Sequence, residues 1–260
     1  MARSMTHGST FTGIGGFDLG FERIGIETKW QVEIDPFCQK VLAKHWPNVQ
    51  RYKDIRECGK HNLEVVDIIS GGFPCQDVSG CGRRVGIEGG RSGLWNELYR
   101  ITSELQPRYL VVENVRGLMR RGFGKVIGDL SAIGYDAEWE MLPASAFGAP
   151  HIRERMWIIA YPRQKQWYDT STSSIFEGYK ESCGIEKIAY GYKYRMVPNI
   201  PIRVREDWWR TQSTMARSCH GIPDRLDRVG SCGNSVIPQI TEWLGRRIIE
   251  AEQKIYETQT

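Results

Sequence analysis

Two short, nearly unbroken apolar runs, Val65 to Ile69 and Tyr109 to Val112, constrain the fold of this chain more than anything else in it. Such runs are the pattern of strands covered on both faces, as in a parallel sheet, and parallel neighbours need a crossover between them. Leu94, Leu98, Ile101 and Leu105 lie between the runs at helical spacing and supply one. Upstream, Ser9 to Thr12 reads as a strand, Phe17 to Ile24 as a helix and Trp30 to Ile34 as a strand; in a further helix, Pro36 to His45, Phe37, Val41 and Leu42 share a face. Met156 to Ala160 adds a later strand. Strands alternating with helices predict an α/β fold with a doubly wound, mostly parallel sheet. A chain of 260 residues accommodates one such domain and a small insertion.

Functional groups in open α/β sheets gather at the carboxyl ends of the strands, and three candidates stand at predicted strand ends here. The stretch Gly-Gly-Phe-Pro-Cys-Gln-Asp-Val-Ser, residues 71–79, follows the first apolar run. Pro74 has a fixed φ and pushes Phe73 towards an extended conformation, which puts Cys75 on a short rigid turn. Glu113 follows the second run, and Arg153 and Arg155 open the strand Met156 to Ala160. Thiol, carboxyl and guanidinium converging from three parallel strand ends suit an acid-assisted nucleophilic addition. Alone, Cys75 reads as a small buried hydrophobe more often than as a nucleophile. Glu104, within a helix pattern, and Glu154, beside an arginine, are weaker candidates for the acid, and Cys81 is a rival thiol.

The same residues carry a resemblance to a known family. Phe11-Thr-Gly-Ile-Gly-Gly16 is similar to the opening glycine motif of the DNA (cytosine-5)-methyltransferases, Pro74-Cys-Gln76 to their nucleophile motif and Glu113-Asn-Val115 to their acid motif. Arg153-Glu-Arg155 resembles their arginine motif and Gly233-Asn-Ser-Val236 their closing motif. The strings stand in the family's order, with a variable segment before the last. His151 replaces the family's usual glutamine, and Arg225 and Arg228 stand near where an arginine-rich motif is expected. The resemblance implies methyl transfer from S-adenosylmethionine to carbon 5 of cytosine, on the sheet typical of methyltransferases using that cofactor. It implies Cys75 as nucleophile, Glu113 as acid at ring nitrogen 3, Arg155 on the carbonyl oxygen of the base, and Arg153 either supporting the site or contacting DNA.

The glycine turn agrees with that cofactor. Gly13, Gly15 and Gly16 permit close backbone approach, but Asp18 stands where a dinucleotide fingerprint wants its third glycine. Glu33, near the end of the second strand, is placed to accept two ribose hydroxyls, and Ile34 to cover an adenine face. The resemblance adds Phe11, Asp54, Ile55 and Pro74 to the cofactor site, with Asn234, Ser235 and Val236 capping its methionine end. Gly233 and the Asn-Ser pair also read as a loop leading to a helix N-cap over Ile237 to Ile249.

A cytosine inside duplex DNA cannot be attacked from the required face and must be flipped out. The resemblance implies that residues 79–93, rich in glycine and arginine, close over the DNA, with Gln76, Ser79, Arg83, Arg84 and Arg91 as nucleic-acid contacts. Lys plus Arg is 35 and Asp plus Glu 31, yet residues 162–223 hold 10 of the bases and 6 of the acids, which leaves the remainder neutral. That basic, aromatic segment suits phosphate contact. The expected organisation is therefore a catalytic and cofactor domain over 1–161, target recognition over 162–223 and a return segment over 224–260. No apolar run reaches membrane-spanning length, no signal-peptide stretch opens the chain, and the 7 cysteines lack zinc-ligand spacing. These point to a cytoplasmic protein without a metal; the resemblance implies double-stranded DNA as partner and a cognate restriction endonuclease as candidate genetic partner, with a monomer as the default for an enzyme that wraps asymmetric DNA. A transfer-RNA cytosine methyltransferase and a catalytically silent DNA-binding relative are the alternatives.

Overall fold

The computed structural model describes residues 4–74, 93–149, 151–163, 174–176, 185–188, 191–194 and 231–259. Its centre is a seven-stranded sheet built from β1 (Thr6–Thr10), β2 (Glu27–Val32), β3 (Gln50–Tyr52), β4 (Ile68–Gly71), β5 (Tyr109–Val115), β6 (Tyr135–Pro143) and β7 (Glu154–Pro162). The order across the sheet is β3-β2-β1-β4-β5-β7-β6. Strands β3, β2, β1, β4 and β5 pair in parallel, whereas β7 runs antiparallel to both β5 and β6. The expected three parallel strand ends are thus two parallel ends and one antiparallel beginning. A residue that opens a strand reaches the carboxyl edge of its neighbours only when that strand is reversed.

Alternation along the strands divides the apolar side chains between two faces. Ile69, Leu110, Val112, Ile158 and Ala160 pack with Trp95, Leu98 and Ile101 of α3 (Leu94–Leu105) and with Val126 and Leu130 of α5 (Phe123–Ala132). Ile68, Tyr109, Val111, Trp157 and Ile159 pack with Phe17 and Phe21 of α1 (Gly16–Glu22) and with Ile240, Leu244 and Ile248 of α6 (Pro238–Gln259). Both faces are covered, as the doubly wound reading requires. Helix α1 meets α6 through bare backbone: a methyl group at Gly16 would strike the Val236 carbonyl, and one at Gly20 would strike Thr241 and the Pro238 carbonyl.

Local chemistry sets the element boundaries. Helix α2 (Pro36–His45) begins where Asp35 accepts a hydrogen bond from the Cys38 amide at 2.9 Å, with proline in the first turn. Strand β1 starts earlier than Ser9 because polar His7 is buried, its Nδ1 3.0 Å from Thr28 Oγ1 and its Nε2 2.7 Å from Ser70 Oγ. Strand β4 starts later than Val65, which is exposed. Helix α6 starts at Pro238 and runs to Gln259; Ile240 and Thr241 amides donate to the Ile237 carbonyl, while the Ser235 hydroxyl turns to the Val236 carbonyl. The short α4 (Leu118–Arg121) links β5 to α5. Ile185–Ile188 and Gly191–Tyr194 form a separate antiparallel ladder, β8 and β9. Among the described residues, no helix is long and apolar enough to cross a membrane.

Candidate active site

The strand order reverses between β1 and β4, and a crevice at such a switch point is where ligands bind in open α/β sheets. Strand β4 ends at Gly71, and the chain continues through Gly72, Phe73 and Pro74. Phe73 is buried against Trp95, ring centroids 5.3 Å apart, and its carbonyl accepts a hydrogen bond from Asn114 Nδ2 at 3.1 Å. The exit turn is therefore pinned from below by an aromatic contact and from the side by β5. Asn114 itself is fixed by the Val115 amide, which donates to its Oδ1 at 2.8 Å.

Glu113 lies inside β5, which extends to Val115 instead of stopping at Val112. Its side chain is only 12% exposed, and a methyl group built on Gly72 would sit 3.3 Å from its Oε2. The carboxyl thus stands over the turn that leads to Cys75. Arg155, opposite Val115 in the β5–β7 register, brings its Nε to 3.2 Å from Glu113 Oε1. Burial raises the Glu113 pKa, and the opposing pull of Arg155 and Arg153 does not cancel it. A largely buried carboxyl whose proton is held more firmly than usual, beside a fixed cation, has the chemistry to donate to a ring nitrogen while the guanidinium steadies a carbonyl oxygen.

Arg153 is held in the left-handed region at φ 32 and reaches the return segment. Its Nη1 donates to the Gly233 carbonyl and its Nη2 to the Ser235 carbonyl at 2.8 Å. The arginine motif therefore divides its labour, one guanidinium on the acid and the other clamping the segment 233–236. The other candidate acids have structural partners: Glu154 pairs with Arg116 at 2.9 Å, and Glu104 pairs with Arg100 at 2.9 Å and accepts from the Lys60 amide.

On the β1–β2 side the chain turns through positive φ at Phe11, Gly13 and Gly15. Glu33 receives the Gly13 amide on Oε2 at 2.6 Å and the Asp35 amide on Oε1 at 2.8 Å, which leaves lone pairs on both oxygens for further donors. Beside it Ile34 is 66% exposed, an apolar face without protein cover, and no atom lies within 4 Å of a methyl group built on Gly13. These acceptor oxygens and the uncovered apolar face fit the ribose hydroxyls and adenine of an adenosine. Asp54 is taken up by Arg56, its side chain accepting from the backbone amide at 3.0 Å and from the guanidinium. Ile55 is buried in the core, so any adenine contact there runs through its main chain. Val236 presents its backbone to Gly16, and Asn234 is exposed.

Cys75, Gln76, Ser79, Arg83, Arg84 and Arg91 lie outside the described residues, as do Cys81, Arg225 and Arg228. Among the described residues, no cluster of His, Cys, Asp and Glu could hold a metal ion. Sequence reasoning missed Asn114, which sits in the string read for its carboxyl alone; a buried amide between two strand ends was its only signal.

A family model, C-5 cytosine-specific DNA methylase, matches residues 5–216. The chain belongs to that family. Its relatives include the type II methyltransferase M2.BsuMI of Bacillus subtilis, 35% identical over 160 residues that cover 58% of this chain and 41% of the relative. M.NgoFVII of Neisseria gonorrhoeae is 33% identical, with 58% and 42% covered. The chain thus spans under half the length of these two relatives. Among solved structures, a protein encoded within an E. coli prophage and described as a DNA modification methyltransferase shares 30% identity at a TM-score of 0.53, over 62% of this chain and 47% of that one. The methyltransferase EhMeth of Entamoeba histolytica, at 21% identity and a TM-score of 0.54, shares the fold.

Proposed function

We propose that this protein transfers a methyl group from S-adenosylmethionine to carbon 5 of a cytosine flipped out of duplex DNA, through a covalent adduct of Cys75. The observation that carries the reading is the raised, buried Glu113 carboxyl, paired with Arg155 and set over the turn that enters Cys75. Cytosine carbon 5 is a weak nucleophile until the ring is made electron-rich. The Cys75 thiolate adds to carbon 6, Glu113 places its proton at nitrogen 3 as the ring electrons move there, and Arg155 binds the carbonyl oxygen at carbon 2. S-adenosylmethionine, when bound, supplies the electrophilic methyl group that carbon 5 takes up. A base, water among the candidates, then takes the carbon 5 proton, Cys75 leaves as thiolate, and nitrogen 3 returns its proton to Glu113, which restores the ring.

Glu33 holds the ribose hydroxyls, Ile34 covers the adenine, and the glycine turn with Phe11 and Pro74 shapes the rest of that pocket. Asn234, Ser235 and Val236, held by Arg153, close its methionine end. Residues 162–223 recognise the target, and Gln76, Ser79, Arg83, Arg84 and Arg91 contact the DNA around the extruded base. Bisulfite sequencing of DNA from cells expressing the protein, beside cells expressing Cys75→Ala, tests the reading. Protected cytosines in one recurrent motif, absent from the variant, are expected. Cytosines converted equally in both, with methylation found instead on transfer RNA, would overturn the DNA assignment.

A further inference from the structure

The chain leaves β5 through Arg116-Gly-Leu-Met-Arg-Arg-Gly-Phe-Gly-Lys125, a stretch with four bases and no acid. Leu118 is fully buried and anchors α4 in the core, while backbone hydrogen bonds from Met119 to Arg116, from Arg120 to Gly117 and from Gly122 to Leu118 tighten the turn. The anchoring leaves Arg116, Met119, Arg120, Arg121 and Lys125 exposed. Arg116 has a side chain 77% exposed and bridges at 2.9 Å to Glu154, the residue between the two site arginines. Ile152, at the start of the same arginine segment, is 62% exposed, and Met119 is 42% exposed. A basic ridge, tied at its ends by the Arg116–Glu154 bridge and by Lys125 to Asp129 at 2.7 Å and interspersed with uncovered apolar side chains, thus follows directly on the Glu113 carboxyl. Three arginines within six residues, at 116, 120 and 121, concentrate positive charge at this exposed turn.

We infer that Arg116, Arg120 and Arg121 are a phosphate-binding ridge that receives the backbone of the duplex next to the extruded cytosine. In sequence the ridge is distinct from both the arginine-rich segment after Cys75 and the basic segment 162–223. The inference rests on the reading of duplex DNA as substrate. B-DNA carries a phosphate about every 1.7 Å of axis, so a duplex that delivers a base to Glu113 brings phosphates past the segment that continues β5. Because phosphates carry no sequence information, the ridge adds affinity and register but no target specificity.

The test is fluorescence anisotropy with a labelled mixed-sequence duplex, across a salt series, for the wild-type protein and for Arg116→Ala/Arg120→Ala. Each lost phosphate contact lowers the slope of log K against log salt by about 0.9. The double variant is therefore expected to lose affinity at low salt. Between 50 and 200 mM salt its affinity should fall about tenfold less than that of the wild type. Thermal melting and S-adenosylmethionine binding, measured by calorimetry, should be unchanged. Equal affinities and slopes for variant and wild type overturn the ridge and leave the DNA reading standing. A wild-type protein that binds no duplex at all overturns both.

Discussion

Glu113 is buried beside Arg155, and its raised pKa means that desolvation outweighs the attraction of two arginines. The sign of the pH effect follows. A carboxyl whose folded pKa lies above its unfolded value binds more protons in the native state, so it lowers stability as pH rises from about 4.5 through the folded pKa. Glu113→Gln abolishes that loss. The variant should melt at or above the wild-type temperature at pH 8, with a flatter dependence on pH, while methyl transfer falls by about 100-fold to 10,000-fold, the usual worth of a positioned acid. Melting curves and single-turnover rates across pH 6 to 9 check both halves; a variant at wild-type rate removes Glu113 from the chemistry. Arg153 should behave differently, because it touches two carbonyls of the return segment and no reacting atom. Arg153→Lys keeps the charge but loses the planar fork. It is expected to raise the KM for S-adenosylmethionine about tenfold or more while kcat changes less, since charge-assisted hydrogen bonds of this kind contribute about 1.5–3 kcal/mol.

Between elements, the α1–α6 contact has no room for added volume at Gly20, and α5 offers the contrast. Gly20→Ala drives a methyl group into Thr241 and should destabilise by about 1–3 kcal/mol, the usual cost of overpacking. Gly128, inside α5 with nothing within 4 Å of a methyl group built there, should accept alanine with a gain of about 0.5–1 kcal/mol. Chemical denaturation of the two variants checks the pair, and a neutral Gly20→Ala would show that the helices can part. The same elements show what the sequence made legible. Pro36–His45 was readable from the face shared by Phe37, Val41 and Leu42, and the helix Leu94–Leu105 from the spacing of its apolar residues. Strand β6 was not, because Asp136, Glu138 and Glu140 on a sheet edge interrupt the apolar pattern. The reversal of β7 was invisible too: strand direction is set by pairing across the sheet, and nothing local to Arg153–Arg155 records it. In the site, Glu113, Arg155 and Glu33 could be found from their places at strand ends. Asn114 and the clamp by Arg153 depend on partners 41 and 80 or more residues away.

Across the whole molecule, two buried titrating groups beneath the glycine turn pull stability in opposite directions. Burial lowers the His7 pKa from 6.5 to about 3, so the unfolded chain takes up a proton first and stability is lost as pH falls through 6.5. Asp18, also fully buried, is pushed up from 3.8 to about 6 by desolvation, against the hydrogen bond that Gln31 Nε2 donates to its Oδ1 at 2.9 Å. Its contribution has the other sign: stability is gained as pH falls from 6 towards 3.8. Each slope is about 1.4 kcal/mol per pH unit. Between pH 4 and 6 they cancel, and above pH 7 only the cost of the ionised Asp18 remains. Asp18→Asn keeps an oxygen for Gln31 and places a donor at Oδ2, which lacks a hydrogen-bond partner. It should raise stability at pH 8 by on the order of 3 kcal/mol and expose the His7 slope below pH 6. Denaturant titrations of wild type and variant from pH 4 to 8 read this as a difference profile, in which other groups drop out. A flat difference would mean that Asp18 titrates as an ordinary carboxyl and that water reaches the floor of the glycine turn.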